Sequence, residues 1–213
     1  MKIFPMPSAN PRLGVALAGV VSLLLALALP AQAEVRKYTI DPDHFSLMFE
    51  VNHLGYASVI GLFLESEGSF EYDAEAGTVP SGKVTVQSDS VFTNHEKRDE
   101  HLRKSDFLHT SEYETVVFEV TGFEKTGDNT GKLTGDLTLL GKTRPVTLDV
   151  TLNKAAEYPI THEEYTLGLS AETIIKRSEW GMTYALDPLL VGDEVRLRFE
   201  FEAIRESEGF FGS

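Results

Sequence analysis

His95, His101 and His109 lie close together in the chain, so they are the first residues to test for chemistry. Six positions separate His95 from His101, which would put them on different faces of a helix. The spacing matches neither the His pattern of a zinc protease nor a dense carboxylate cage. A Ser-His-Asp arrangement would want a strained nucleophile turn, and no Gly-x-Ser-x-Gly is present. No glycine-rich phosphate loop occurs. With no cysteine, thiol nucleophiles, thiolate metal sites and disulfides are all ruled out. The expectation is no catalytic residue, no metal ligand and no cofactor: a binding protein rather than an enzyme.

A binding role would centre on Thr93–Phe107, which carries His95 and His101. Thr93 and Glu96 have capping-box spacing and predict a short helix near 94–106 that starts at Thr93. Helical geometry groups Arg98, His101, Leu102 and Ser105 on one face, with Leu102 turned towards the core. Lys97, Arg103 and Lys104 read as a solvated face, with Asp99–Arg103 and Glu100–Lys104 at ion-pair spacing. Arg98 and His101 have two readings, a polar contact to a ligand headgroup or a structural pair with Asp99 or Asp106. Ile174–Met182 forms a second distinctive stretch, with Arg177 near the single tryptophan, Trp180. Trp180 reads as a lid over the core, and that is compatible with gating a ligand.

The elements that must hold these segments are strands. Val195–Glu202 alternates apolar and charged side chains, as Val146–Leu152 and Leu133–Leu139 alternate apolar ones with polar ones or glycine. Phe45, Leu47, Phe49 and Val51 share a face, and weaker alternation runs through Phe70–Tyr72, Val84–Val86, Val116–Val120 and Tyr165–Leu169. Turns are read at Asp128-Asn129, Leu140–Thr143, Asn153-Lys154 and Val191–Asp193. Short loops predict antiparallel hairpins, and eight or more one-sided strands must close on themselves as a barrel or a sandwich. The apolar faces are rich in aromatics. An eight-stranded barrel can be filled by side chains or hold one ligand, and alternation does not choose between the two.

The first 33 residues are expected to be a cleaved export signal. Lys2 and Arg12 precede the apolar run Leu13–Leu29, and Ala31-Gln32-Ala33 supplies the small-x-small cleavage pattern. A retained membrane anchor, the alternative, would have no use for that ending. Without the leader's 33 of 213 residues, 180 remain, enough for one domain spanning 34–206, followed by a loose tail at 207–213. The leader holds two basic residues and no acid, so the net charge of −14 becomes −16. That charge argues against nucleic acid and against docking on anionic lipid.

Five stretches resemble the YceI-like family of exported, lipocalin-like, polyisoprenoid-binding proteins. They are Ile40–Ser46 with Val51–Gly55, Arg98–Leu102 with Asp106-Phe107, Gly135–Val146, Arg177–Met182 and Val191–Val195. They run in order over nearly the whole mature chain. The chain departs from the family at His44-Phe45-Ser46, where His and Ser are usually adjacent, and at Trp180, where another aromatic is common.

The resemblance implies an all-β, eight-stranded antiparallel barrel with an elongated apolar cavity for an isoprenoid tail, carried by a polyprenyl phosphate or a quinone. The residues then expected at the ligand are Phe45, Phe49, Val51, Phe63, Arg98, His101, Leu102, Phe107, Phe118, Leu137, Leu148, Leu169, Arg177, Trp180 and Phe199. The headgroup is expected at the Arg98–Phe107 end. The resemblance further implies a periplasmic monomer or homodimer without a membrane anchor after cleavage, and a membrane b-type cytochrome as a possible partner. Three rivals remain: a quinone-presenting accessory to that cytochrome, an enzyme on a small hydrophobic substrate with His101 as base, and a filled structural barrel.

Overall fold

The computed structural model describes residues 34–187 and 190–207; the expected leader, nearly all of the expected tail, and Pro188-Leu189 lie outside them. The strands are β1 (Val35–His53), β2 (Ala57–Phe63), β3 (Ser66–Asp73), β4 (Thr78–Gln87), β5 (Val91–Phe92), β6 (Thr115–Lys125), β7 (Thr130–Leu139), β8 (Lys142–Glu157), β9 (Tyr165–Lys176) and β10 (Val191–Arg205). A single α-helix, α1 (Glu96–Leu102), is found among the described residues.

All pairings are antiparallel, and the sheet closes where β1 meets β10. Ten strands make eight staves. β1 pairs with β2 over Leu47–His53 and with β3 over Val35–Thr39, so β2 and β3 are two halves of one bent stave. Likewise β4 pairs with β3 and β5 with β2, which makes β4 and β5 the next. The expected eight-stranded barrel is therefore the observed one.

Hairpin chemistry follows the sequence at Leu140-Gly141, where both residues have positive φ (50° and 67°) in a two-residue loop. That is the turn whose twist suits paired strands. Two of the expected turns are instead inside strands. Asn153-Lys154 is a bulge in β8, held because the Asn153 amide donates across to Ser170 Oγ at 2.8 Å. Val191–Asp193 opens β10, and Gly192 lies against Asn52 of β1.

The barrel is closed at one end by a compact apolar cluster of Phe49, Val91, Leu108, Leu137, Leu139, Ile175 and Trp180. A smaller cluster, Tyr38, Leu167 and Ala203, sits towards the other end. Between them the inward side chains Val84, Phe118, Val120 and Phe199 are only half-buried although they point away from solvent. They face empty space.

Candidate binding cavity

Two features keep the barrel hollow. Inward-facing positions alternate with outward ones, and a bulge at Thr121 in β6 restores the phase so that Phe118, Val120 and Phe123 all face in. Several inward rings also lie down on the wall. A Cβ on Gly61 would stand 2.2 Å from the Phe49 ring, and one on Gly135 would stand 2.3 Å from the Phe118 ring. Glycine at these places leaves room for a ring to lie along the neighbouring strand rather than across the lumen.

The result is two lobes with about 1090 and 990 Å³ of free space, counting their open mouths. Val84, Phe118 and Phe199 line both, so these three residues form a waist joining the lobes. The inward side chains thus line apolar free space, which speaks against the filled-barrel rival.

The lobe beside α1 is lined by Phe49, Val51, Phe63, Leu102, Phe107, Leu137 and other apolar side chains, with Arg177 the single charged one. The second lobe includes Leu148 and Leu169 and ends between the β3–β4 and β6–β7 turns. Its border carries Lys125, Asp128 and Asn129. Lys83, next to the waist residue Val84, lies on the outer face instead, its Nζ 3.0 Å from Glu119 Oε1. The polar end of the cavity is thus opposite α1. The sequence expectation placed the headgroup at the other end, by Arg98–Phe107.

Phe45, Arg98, His101 and Trp180 were expected at the ligand, and the structure places all four outside the lining. Phe45 shares the inward face of β1 with Leu47 but spends its ring on its neighbours, meeting Phe199 edge-on at 6.5 Å and Phe201 at 6.2 Å. Arg98 turns back on its own segment: Nε donates to Thr93 Oγ1 at 2.7 Å and Nη2 to the Thr93 carbonyl at 2.8 Å. The same threonine gives its backbone N–H, at 2.8 Å, and its hydroxyl to the buried Asp99 carboxylate. Asp99 is 5 % exposed, so its charge demands these partners, and Arg98 completes the knot.

That knot also overturns the expected helix start. Thr93 faces Asp99, and the cap is His95, whose Nδ1 accepts the Arg98 amide. Arg103 is not paired with Asp99 either. It donates to the carbonyls of Asp89 and Val91, closing the otherwise open edge of β5.

His101 holds Asp106 Oδ2 at 2.8 Å, and its ring meets Phe107 and Tyr184 edge-on at 5.1 and 5.2 Å. It supports Phe107 from behind. No histidine is among the described residues that line either lobe.

Trp180 is 1 % exposed and donates its indole N–H to the Leu137 carbonyl at 3.1 Å. It is core packing at the closed end. Arg177, equally buried, donates to four backbone carbonyls: Gly192 and Met182 at 2.8 Å, Tyr184 and Val191 at 3.0 Å. Burial lowers its pKa from the ordinary value, and the Asp193 carboxylate opposes that shift. The guanidinium fastens Met182 and Tyr184 to the start of β10, leaving the stem to touch the cavity.

The residues that sequence reasoning left out of the site belong mainly to the second lobe, among them Phe70, Val120, Phe123, Leu133, Leu152 and Phe201. Alternation marked several of them as inward-facing, which is the signal that could have found them.

A YceI-like domain profile matches residues 38–203. A UPF0312 protein of Ectopseudomonas mendocina is 35 % identical over 188 residues, covering 87 % of this chain and 96 % of its own. The crystal structure of a Campylobacter jejuni YCEI protein superposes with a TM-score of 0.66 at 27 % identity, covering 74 % of this chain and 90 % of that one. A polyisoprenoid binding domain from Saccharophagus degradans, at 15 % identity and a TM-score of 0.58, shares the fold, with 79 % and 98 % of the two chains covered.

Proposed function

This chain belongs to the YceI-like family, and from that premise we propose that it carries or stores an isoprenoid lipid in the periplasm, with the tail threaded through both lobes. The observation that carries the reading is the waist: two apolar lobes share Val84, Phe118 and Phe199, giving one elongated lumen suited to a chain rather than a compact ligand. The solved domain from Saccharophagus degradans, described as polyisoprenoid-binding, supports the same ligand class.

The head of the lipid sits at the polar mouth near Lys125, Asp128 and Asn129. A neutral head suits that rim better than a phosphate, since Asp128 borders the opening beside Lys125. An isoprenoid quinone is one such lipid, and a membrane b-type cytochrome is the kind of partner a quinone carrier would serve. Export follows from the leader-like residues 1–33.

Affinity should then be set by tail length. About 0.3 kcal/mol per heavy atom is about 1.5 kcal/mol, or about tenfold, for each five-carbon unit. Competition titrations with a series of isoprenoid alcohols of increasing length should show Kd falling at about that rate, then levelling once both lobes are full. Affinity independent of length would remove the proposal.

A further inference from the structure

The pairing of β1 with β10 jumps from Ile40–Ala203 to Phe45–Phe201. Four residues, Asp41 to His44, therefore stand opposite one, Glu202. Pro42 has no N–H to give a ladder, and the Asp43 amide turns back to Asp41 Oδ1 at 3.0 Å. This excursion folds the two side chains at its ends over Glu202. His44 Nδ1 is 2.7 Å from Asp41 Oδ2 and 3.7 Å from Glu202 Oε2. One ligand atom from each of the three residues lies within 4.8 Å of the others.

We propose that Asp41, His44 and Glu202 bind a divalent transition-metal cation on the outside of the barrel. One imidazole nitrogen and two carboxylate oxygens are the ligand set that Zn²⁺ and Mn²⁺ accept, with remaining positions left to water. Charge balance favours the ion over a bare hydrogen-bonded pair. A protonated His44 offsets one of the two carboxylates, whereas a divalent cation held by neutral His44 offsets both. The cation takes the place of the proton now shared between Nδ1 and Asp41 Oδ2.

The surroundings suit a bound ion. Glu202 borders a surface cleft of about 580 Å³ with Tyr158, Lys154 and Ile160, which gives access from solvent. None of the three ligands lines either lobe of the lumen, so the site is separate from the lipid cavity. The histidine spacing weighed at His95, His101 and His109 gave no hint of it, because Glu202 joins only through the closure of the barrel.

Isothermal titration of untagged, chelator-treated protein with Zn²⁺ and with Mn²⁺ tests the site. One equivalent of at least one of the two ions should bind, and His44→Ala and Glu202→Gln should each weaken that binding at least tenfold. His101→Ala, on a histidine elsewhere on the surface, should leave it unchanged. Absence of binding by both ions, or binding that His44→Ala leaves intact, would overturn the assignment.

Discussion

Replacing Val84 with tryptophan is expected to weaken the binding of a long isoprenoid more than 100-fold while leaving a short one bound nearly as before. Val84 is half-buried and lines both lobes, so added bulk at this position enters the waist. A tail stopped at the waist keeps one lobe only. Losing contact for ten carbons at about 0.3 kcal/mol each removes about 3 kcal/mol, which is more than 100-fold. The fold should survive, because the indole occupies empty space rather than a packed core; overpacking would otherwise cost about 1–3 kcal/mol. Circular dichroism and thermal unfolding check the fold, and competition binding with long and short isoprenols reads the effect. Equal loss for both lengths in a folded variant would mean that the waist does not lie on the path of the tail.

The second large effect belongs to Arg177. Methionine keeps most of the length of the side chain but leaves four carbonyls without their donor and Asp193 without its nearby positive charge. Removing one member of such a buried polar set costs about 3–5 kcal/mol. At this chain length each kcal/mol lowers the midpoint by about 2–4 °C, so Arg177→Met should unfold about 6–20 °C earlier. Below that midpoint its affinity for isoprenoids should be close to that of the parent, since the guanidinium is turned away into the loop. A variant that stays as stable but loses binding would make Arg177 a headgroup contact after all.

Most of the barrel could be read from the chain. Alternation in Val195–Glu202 and Val146–Leu152 marks the inward faces, because a strand exposes every second side chain to the same side. The hollow interior could not be read, since it depends on whether Phe49 and Phe118 lie across the lumen or flat on the wall. Gly61 and Gly135, on neighbouring strands, decide that, and they come close to the rings only once the strands are in register. The helix was visible, but its cap was not: Thr93 has the right spacing to Glu96, yet buried Asp99 claims the threonine first.

For Arg98, His101 and Trp180 the sequence left a structural reading open beside the ligand one, because polar and aromatic residues in an unusual segment can serve either. Here they satisfy the segment's own needs, tying Thr93, holding Asp106 and Phe107, and bonding the Leu137 carbonyl. The polar mouth was not singled out, since Asp128-Asn129 reads as an ordinary turn and polar residues are common there.

Mass spectrometry of an organic extract of the protein, purified without detergent from the cells that produce it naturally, tests the account most directly. One isoprenoid lipid per barrel is the predicted result. A lipid-free barrel that also refuses added isoprenoids would contradict it.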